Sequence, residues 1–149
     1  MPENTDISER VVDLVSNSSR FARLASSLAD DDRPKALIRA LSLLDEYGEL
    51  RISEIARIDR CSQPSATELV KKLHTLELVE RAPDPTDSRA SLVSISDRGR
   101  DWLAESRAAI GAALAPLFAD VEPEQISRIS AGLHALRDVL KETTGKKSS

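Results

Sequence analysis

The sequence predicts a mainly α-helical chain with one small antiparallel β-hairpin, and three observations predict it. Apolar residues recur every three or four positions at Ile7, Val11, Leu14, Val15, Phe21, Leu24, Ala25 and Leu28, and again at Ile126, Ile129, Leu133, Leu136 and Leu140, the spacing of amphipathic helices. That period gives way near the middle to two short runs, Leu78–Ala82 and Ser91–Ile95, around a segment of turn formers, Pro83-Asp84-Pro85-Thr86-Asp87-Ser88-Arg89, as in a hairpin with a long polar tip. A helical stretch leads straight into the first run, with Ala66, Leu69, Val70, Leu73 and Leu76 on one face and Ser65, Thr67, Glu68, Lys71, Lys72 and Thr75 on others. A helix with a polar, partly basic face followed at once by a hairpin is the plan of a winged helix-turn-helix, whose helix enters a major groove while the hairpin straddles the backbone. The expected architecture is therefore mainly α with a small antiparallel β-wing, flanked by long helices.

Taken in order, the first amphipathic helix runs from Ile7 to Leu28 and stops at Asp30-Asp31-Asp32-Arg33-Pro34. Asp31 or Asp32 is placed to cap a second helix, with Pro34 tolerated in its first turn. That helix buries Leu37, Ile38, Leu41 and Leu44 and stops near Gly48. Leu50-Arg51-Ile52 suits a one-ladder strand beside the hairpin. Ser53 is the expected cap of a short helix through Arg60, and Ser62 that of the groove helix, where Pro64 falls among amides that lack intrahelical partners anyway. After the hairpin, Ser96 caps a helix containing Trp102, Leu103, Ile110 and Leu114, which Pro116 ends or kinks. Glu122-Pro123-Glu124 restarts a helix whose apolar steps of 3, 4, 3 and 4 form a heptad seam. The expected organisation is an N-terminal dimerisation helix (1–33), a winged helix-turn-helix (34–99), C-terminal dimerisation helices (100–144) and a flexible tail (145–149).

The chain of 149 residues suits one compact domain, or a small one with helical extensions. Its net charge of −4 argues against a protein that coats nucleic acid by charge alone. The distribution says more: residues 51–100 carry nine basic and eight acidic groups, so the acidity lies outside the proposed reading head. No apolar run reaches the ~20 residues of a membrane span, and Glu3, Asp6 and Glu9 break the pattern of a secretory signal. A soluble cytoplasmic protein with no membrane partner is expected. One cysteine, Cys61, excludes an intrachain disulfide, and with His74 and His134 on different helices no metal or other cofactor is expected. No phosphate loop, nucleophile elbow or paired-carboxylate pattern points to an enzyme.

Ser62, Gln63, Ser65 and Thr67 open the groove helix with side chains that donate and accept at base edges, glutamine being the natural partner of adenine. Pro64 lies among them, and Lys71 and Lys72 further along suit phosphates. Glu68 repels phosphate yet can accept from a cytosine amino group. Arg89, beside Ser88 at the hairpin tip, can enter a narrow minor groove, with Asp87 holding its guanidinium in a salt bridge. Arg51 and Arg81 are further phosphate candidates. The bland alternatives are a solvated helix face and an exposed ion pair worth under ~1 kcal/mol. The end helices carry more apolar surface than the region between them can cover, so a second copy is the simplest partner, packed through Ile7, Val11 and Leu14 and through Ile126, Ile129, Leu133, Leu136 and Leu140.

The run Leu78–Gly99 resembles the wing of the MarR family of bacterial transcription regulators, with Asp87, Arg89, Leu92, Ile95, Ser96 and Gly99 at the positions of the family's pattern. The order of elements is similar over most of the chain. Two positions depart from the pattern: Glu68, where relatives often carry a basic residue, and Glu77, at a helix exit where glycine is common. The resemblance implies a homodimer that reads a palindromic operator in double-stranded DNA with recognition helices roughly 34 Å apart, one turn of duplex. It further implies a repressor released by a small, often aromatic or lipophilic ligand. The residues of this chain that could line such a crevice are Arg20, Phe21, Leu24, Leu41, Leu44, Tyr47 and Trp102, and the 3% aromatic content favours a flexible aliphatic ligand over a flat one. Two alternatives stay open: a winged-helix module that meets another protein, and a thiol-based regulator in which Cys61, beside a positive helix end, is oxidised.

Overall fold

A computed structural model of the chain describes residues 2–146, with side chains from residue 6 to residue 143. Residues up to Leu114 form one compact unit and residues from Ala115 a second. The first contains α1 (Pro2–Leu28), α2 (Lys35–Tyr47), β1 (Leu50–Arg51), α3 (Ile52–Asp59), α4 (Gln63–Thr75), β2 (Val79–Asp84), β3 (Asp87–Ile95) and α5 (Asp97–Leu114). The second contains a 3₁₀ turn, Ala115–Phe118, and α6 (Pro123–Lys146).

The fold class is the one expected: helices around a three-stranded antiparallel sheet in the order β1-β3-β2. Leu50 pairs with Val93 and Arg51 with Leu92, so the two-residue β1 adds a ladder to the hairpin and ties the wing to the start of α3. The core is assembled from Leu41 and Leu44 of α2, Ile55 of α3, Val70 and Leu73 of α4, Leu78 at the entry to β2, and Val93 of β3, all almost fully buried. At roughly 1.5–3 kcal/mol for each large apolar side chain removed from water, these residues fix the angle between the groove helix and the wing.

Several local expectations are corrected. Neither Asp31 nor Asp32 caps α2: Pro34 holds the cap position, and its carbonyl accepts from the amides of Leu37 and Ile38. Asp31 turns instead toward Arg33, accepting from its amide and its guanidinium. Ser53 lies inside α3 and does not cap it; the helix starts at Ile52, and Glu54 reaches back to accept from the Arg51 amide at 3.0 Å. The hairpin tip is short: β2 and β3 run out to Asp84 and Asp87, leaving only Pro85-Thr86 as the turn. α1 begins at Pro2, before the first apolar position of its stripe. α6 continues to Lys146, past the residues where the tail was expected to begin, and residues 147–149 lie outside the described ones.

α5 ends at Leu114, and Pro116 lies in the 3₁₀ turn that follows, as its missing amide requires. α1 buries only Ala25 among its described residues; Ile7, Val11, Leu14, Phe21 and Leu24 are exposed. Within the second unit, Ile126, Ile129, Leu133, Leu136 and Leu140 of α6 are exposed as well.

Candidate nucleic-acid interface

The reading head is built by two turns and a brace. At the first turn Arg60 adopts a left-handed conformation, φ 54°, and the Cys61 amide donates to the carbonyl of Ala56. This reverses the chain between α3 and α4. Ser62 then caps α4 as expected, its Oγ accepting from the Ser65 amide at 3.2 Å, with Pro64 harmless in the first turn. Ala66, Val70 and Leu73 anchor α4 in the core, Leu69 is half-buried, and Leu76 at the C-cap is 37% exposed. The opposite face is exposed at Gln63, Ser65, Thr67, Glu68, Lys71 and Lys72.

Not all of those side chains are free to read bases. The Ser62 hydroxyl donates to Ser65 Oγ at 2.8 Å, and the Thr67 hydroxyl donates to the carbonyl of Gln63 at 2.9 Å. Both are spent on the helix itself. Gln63, Ser65 and Glu68 remain with open polar atoms. Pro64, Ser65, Glu68, Leu69 and Lys72 line a shallow depression of about 380 Å³ on this face.

At the second turn Glu77 takes φ 61°, a conformation that favours glycine. The turn is pinned from both sides: the Leu78 amide donates to the Leu73 carbonyl, and the Ser96 hydroxyl donates to the Glu77 carbonyl at 2.7 Å. Ser96 also accepts from the Gly99 amide at 3.1 Å, capping α5 as expected. Gly99 sits where a Cβ would come 2.2 Å from the Leu78 carbonyl oxygen. The exit of α4, the end of β3 and the start of α5 therefore meet at one point that only glycine fits.

The wing is held by a residue that the sequence did not single out. Asp84 is buried, and its Oδ1 accepts from the amide and the hydroxyl of Thr86 at 2.9 and 2.8 Å. Its Oδ2 lies 2.5 Å from Arg51 Nε, a contact of charge without hydrogen-bond alignment, and Arg51 also donates to Thr86 Oγ1. The Thr86 amide and hydroxyl, followed by Arg51, hold the Asp84 carboxyl below its ordinary titration range. Arg51 is thus a strut between β1 and the wing turn, with part of its surface still exposed.

The expected Asp87–Arg89 salt bridge does not form. Asp87 Oδ1 accepts from the Arg89 backbone amide at 3.0 Å, which shapes the chain and leaves the guanidinium unpaired. Nor is Arg89 at the turn itself: Pro83 pairs with Ser91 and Asp84 with Asp87, so Ser88, Arg89 and Ala90 bulge out of β3. A bulge of this kind re-aims a side chain out of the ladder, and Arg89 is exposed.

Charges divide usefully. Arg39 is paired with Asp59 and Arg51 with Asp84, whereas among the described residues Lys72, Arg81 and Arg89 make no ion pair. Arg57 and Arg60 are exposed beside the turn into α4, with no ion pair among the described residues. Neither belongs to a motif or to a periodic stripe, and their place at the turn before the groove helix is the one signal that marks them in the sequence. Cys61 is half-buried against the core.

The expected ligand-lining residues are not brought together. Leu41 and Leu44 are 0% and 1% exposed and belong to the core. Phe21 and Leu24 lie exposed on α1, as does Arg20. Trp102 is half-buried beneath Arg33, whose guanidinium carbon stands 5.5 Å above its ring and which is also paired with Glu105. Only Tyr47 faces the main cleft, a space of about 930 Å³ among α1, α2 and α5 with an apolar patch of Ile38, Leu43, Leu103 and Ile110. Asp31, at its rim, is held below the usual carboxylate range chiefly by the Ser106 hydroxyl and then by Arg33. Among the described residues no group of His, Cys, Asp and Glu is placed to hold a metal, and no helix is long and apolar enough to cross a membrane.

Comparison with known proteins agrees with this geometry. The model of the MarR family matches residues 35–91, from α2 through the wing bulge. An uncharacterized HTH-type transcriptional regulator from Mycobacterium bovis is 32% identical over 84 residues, 49% of this chain and 59% of that protein. The chain thus spans about three-fifths of that relative's length. Among solved structures, RV1404 from Mycobacterium tuberculosis superposes with a TM-score of 0.66 at 22% identity, covering 88% of this chain and 92% of that one. BpsR from Bordetella bronchiseptica, whose DNA binding is described as regulated by 6-hydroxynicotinic acid, superposes with a TM-score of 0.57 at 18% identity, covering 86% and 98%. At these identities the structural likeness establishes the fold.

Proposed function

We propose that this chain, which belongs to the MarR family through its winged helix, is a homodimeric, sequence-specific DNA-binding regulator of transcription. The observation that carries the reading is the pattern of paired and unpaired charge. Arg51 and Arg39 are consumed in bracing the head, while Lys72, Arg81 and Arg89 stand exposed without counter-ions on α4 and the wing. Unpaired cations on the two elements that would straddle a duplex are what phosphate neutralisation requires. The capped N-terminal turn of α4, with Gln63, Ser65 and Glu68 open, supplies groups for base edges.

The division of labour follows. α4 lies in a major groove with its N-terminal half toward the bases and Lys71 and Lys72 toward phosphate. Arg89, thrown out of β3 by the bulge, reaches the adjacent minor groove, where a guanidinium gains most from the concentrated negative potential. Arg57, Arg60 and Arg81 flank these contacts, while Arg51 holds the wing turn through Asp84 and Thr86. The exposed apolar faces of α1 and α6 pack against those of a second copy, which presents two heads to a two-fold operator.

A small molecule in the cleft among α1, α2 and α5 then acts as the releasing signal of a repressor, its aliphatic part against Ile38, Leu43, Leu103 and Ile110. Such control needs a ligand that binds one spacing of the heads better than the other. A compound that raises the melting temperature and lowers duplex affinity together would support it.

The decisive experiment is a mobility shift on DNA upstream of the protein's own gene, repeated across salt, with wild type and Arg89→Ala. Wild type should bind with a steep salt dependence. The variant should bind more weakly and lose about one unit of salt slope per removed phosphate contact. Equal affinity with an intact fold removes the wing from the mechanism, and no shift on any duplex removes the reading.

A further inference from the structure

We infer that Glu68 is a specificity-determining residue that accepts a hydrogen bond from the amino group of a cytosine, so that each half-site carries a required C·G pair beneath the middle of α4. The inference rests on the DNA-binding reading and sharpens it.

Three observations point to this role. Glu68 stands on the exposed face of α4, one turn from Ser65 and one turn from Lys72, in the depression that those residues line with Pro64 and Leu69. Its side chain is 64% exposed, and its neighbour Lys71 comes only to 3.6 Å, beyond hydrogen-bond length, so both carboxylate oxygens keep their lone pairs. Two of the hydroxyls on this turn are committed elsewhere, Thr67 donating to the Gln63 carbonyl and Ser62 to Ser65 Oγ, while Ser65 is left open as a donor beside it. Glu68 is therefore the strongest open acceptor on this face.

A carboxylate carried between two phosphate backbones is repelled unless a donor meets it. The major groove offers donors on cytosine N4 and adenine N6 only. Adenine sets its N7 acceptor directly beside N6, and N7 would face the second carboxylate oxygen with like partial charge. Cytosine sets no acceptor of its own there. The choice falls on cytosine, and the Lys71 ammonium beside the carboxylate lowers the cost of bringing a negative charge into the groove.

The test is selection from a pool of duplexes randomised across the site, followed by affinity measurement, with wild type, Glu68→Gln and Glu68→Ala. Both substitutions fall on an exposed helix face, and thermal melting confirms that the fold is kept. Wild type should enrich cytosine at one position in each half-site and lose roughly 5- to 150-fold in affinity when that pair alone is replaced. Glu68→Gln, which can donate to N7 and accept from N6, should move the preference to adenine. Glu68→Ala should lose the preference at that position and bind nonspecific duplex more tightly at low salt. A wild-type pool without an enriched cytosine, or the same base enriched by wild type and Glu68→Ala, overturns the assignment while leaving DNA binding intact. Failure of wild type to retain any duplex overturns the DNA-binding reading and the assignment with it.

Discussion

Gly99→Ala should be among the most damaging single-methyl changes in this protein. The added Cβ would lie 2.2 Å from the Leu78 carbonyl oxygen, 2.9 Å from Ile95 Cγ1 and 3.2 Å from Leu41 Cδ2. The two side chains can move a little; the carbonyl cannot, because it accepts from the Ser96 amide at 3.0 Å and sits where the α4 exit crosses the end of β3. Forcing an extra methyl group into a filled site costs about 1–3 kcal/mol, and loss of the Leu78–Ser96 hydrogen bond adds about 1 kcal/mol. A destabilisation of roughly 2–4 kcal/mol corresponds to a fall in melting temperature on the order of 10 °C for a unit of this size. Thermal unfolding followed by circular dichroism measures it, with Gly111→Ala as the control. Gly111 lies within α5 with nothing within 4 Å of its Cβ position, so alanine there should stabilise by about 0.5–1 kcal/mol. If both substitutions shift the midpoint alike, the packing account of Gly99 is refuted.

Three further outcomes follow from the same geometry. Glu77→Gly relieves a side chain at φ 61° and gives up only an exposed 3.4 Å contact with Arg98; it should stabilise by about 0.5–1 kcal/mol, and a lower midpoint in urea would contradict the strain. Asp84→Asn should destabilise the wing in a pH-dependent way. The folded carboxyl titrates below its ordinary value of 3.8, so its contribution is complete above that pH and is lost as pH falls through the folded value. The stability gap between wild type and variant should therefore narrow in acid, and a gap that stays constant from neutral pH to pH 3 would show that Asp84 acts by shape alone. Leu136→Lys, on the exposed seam of α6, should convert the proposed dimer to monomer in sedimentation at micromolar concentration; a wild type already monomeric there would remove the two-fold arrangement.

Much of the fold could be read from local pattern. Repeats of three and four placed α1, α2, α4, α5 and α6. Ser62 and Ser96 were legible as caps because a hydroxyl ahead of an apolar stripe answers a need of the helix end itself. The missed caps have a tertiary cause. Asp31 is drawn off α2 by Arg33, and β1 runs so directly into α3 that Ser53 falls inside the first turn, where Glu54 does the capping. The wing turn misled for a similar reason. A seven-residue run rich in turn formers reads as a long loop, yet Asp84 folds back on Thr86 and Arg51 and extends both strands.

By itself the sequence determined the class of the protein: a groove helix joined to a wing between amphipathic end helices, with the residue types that meet nucleic acid. Periodicity and turn chemistry are local, so they survive without coordinates. Which of those residues are free to act was decided only by the folded structure, because availability depends on which partner, distant or near in the chain, each side chain meets. Arg51 is taken by Asp84, 33 positions away; Thr67 and Ser62 are spent inside α4; Leu41 and Leu44 vanish into the core; Arg89 is released when Asp87 binds its amide in place of its guanidinium.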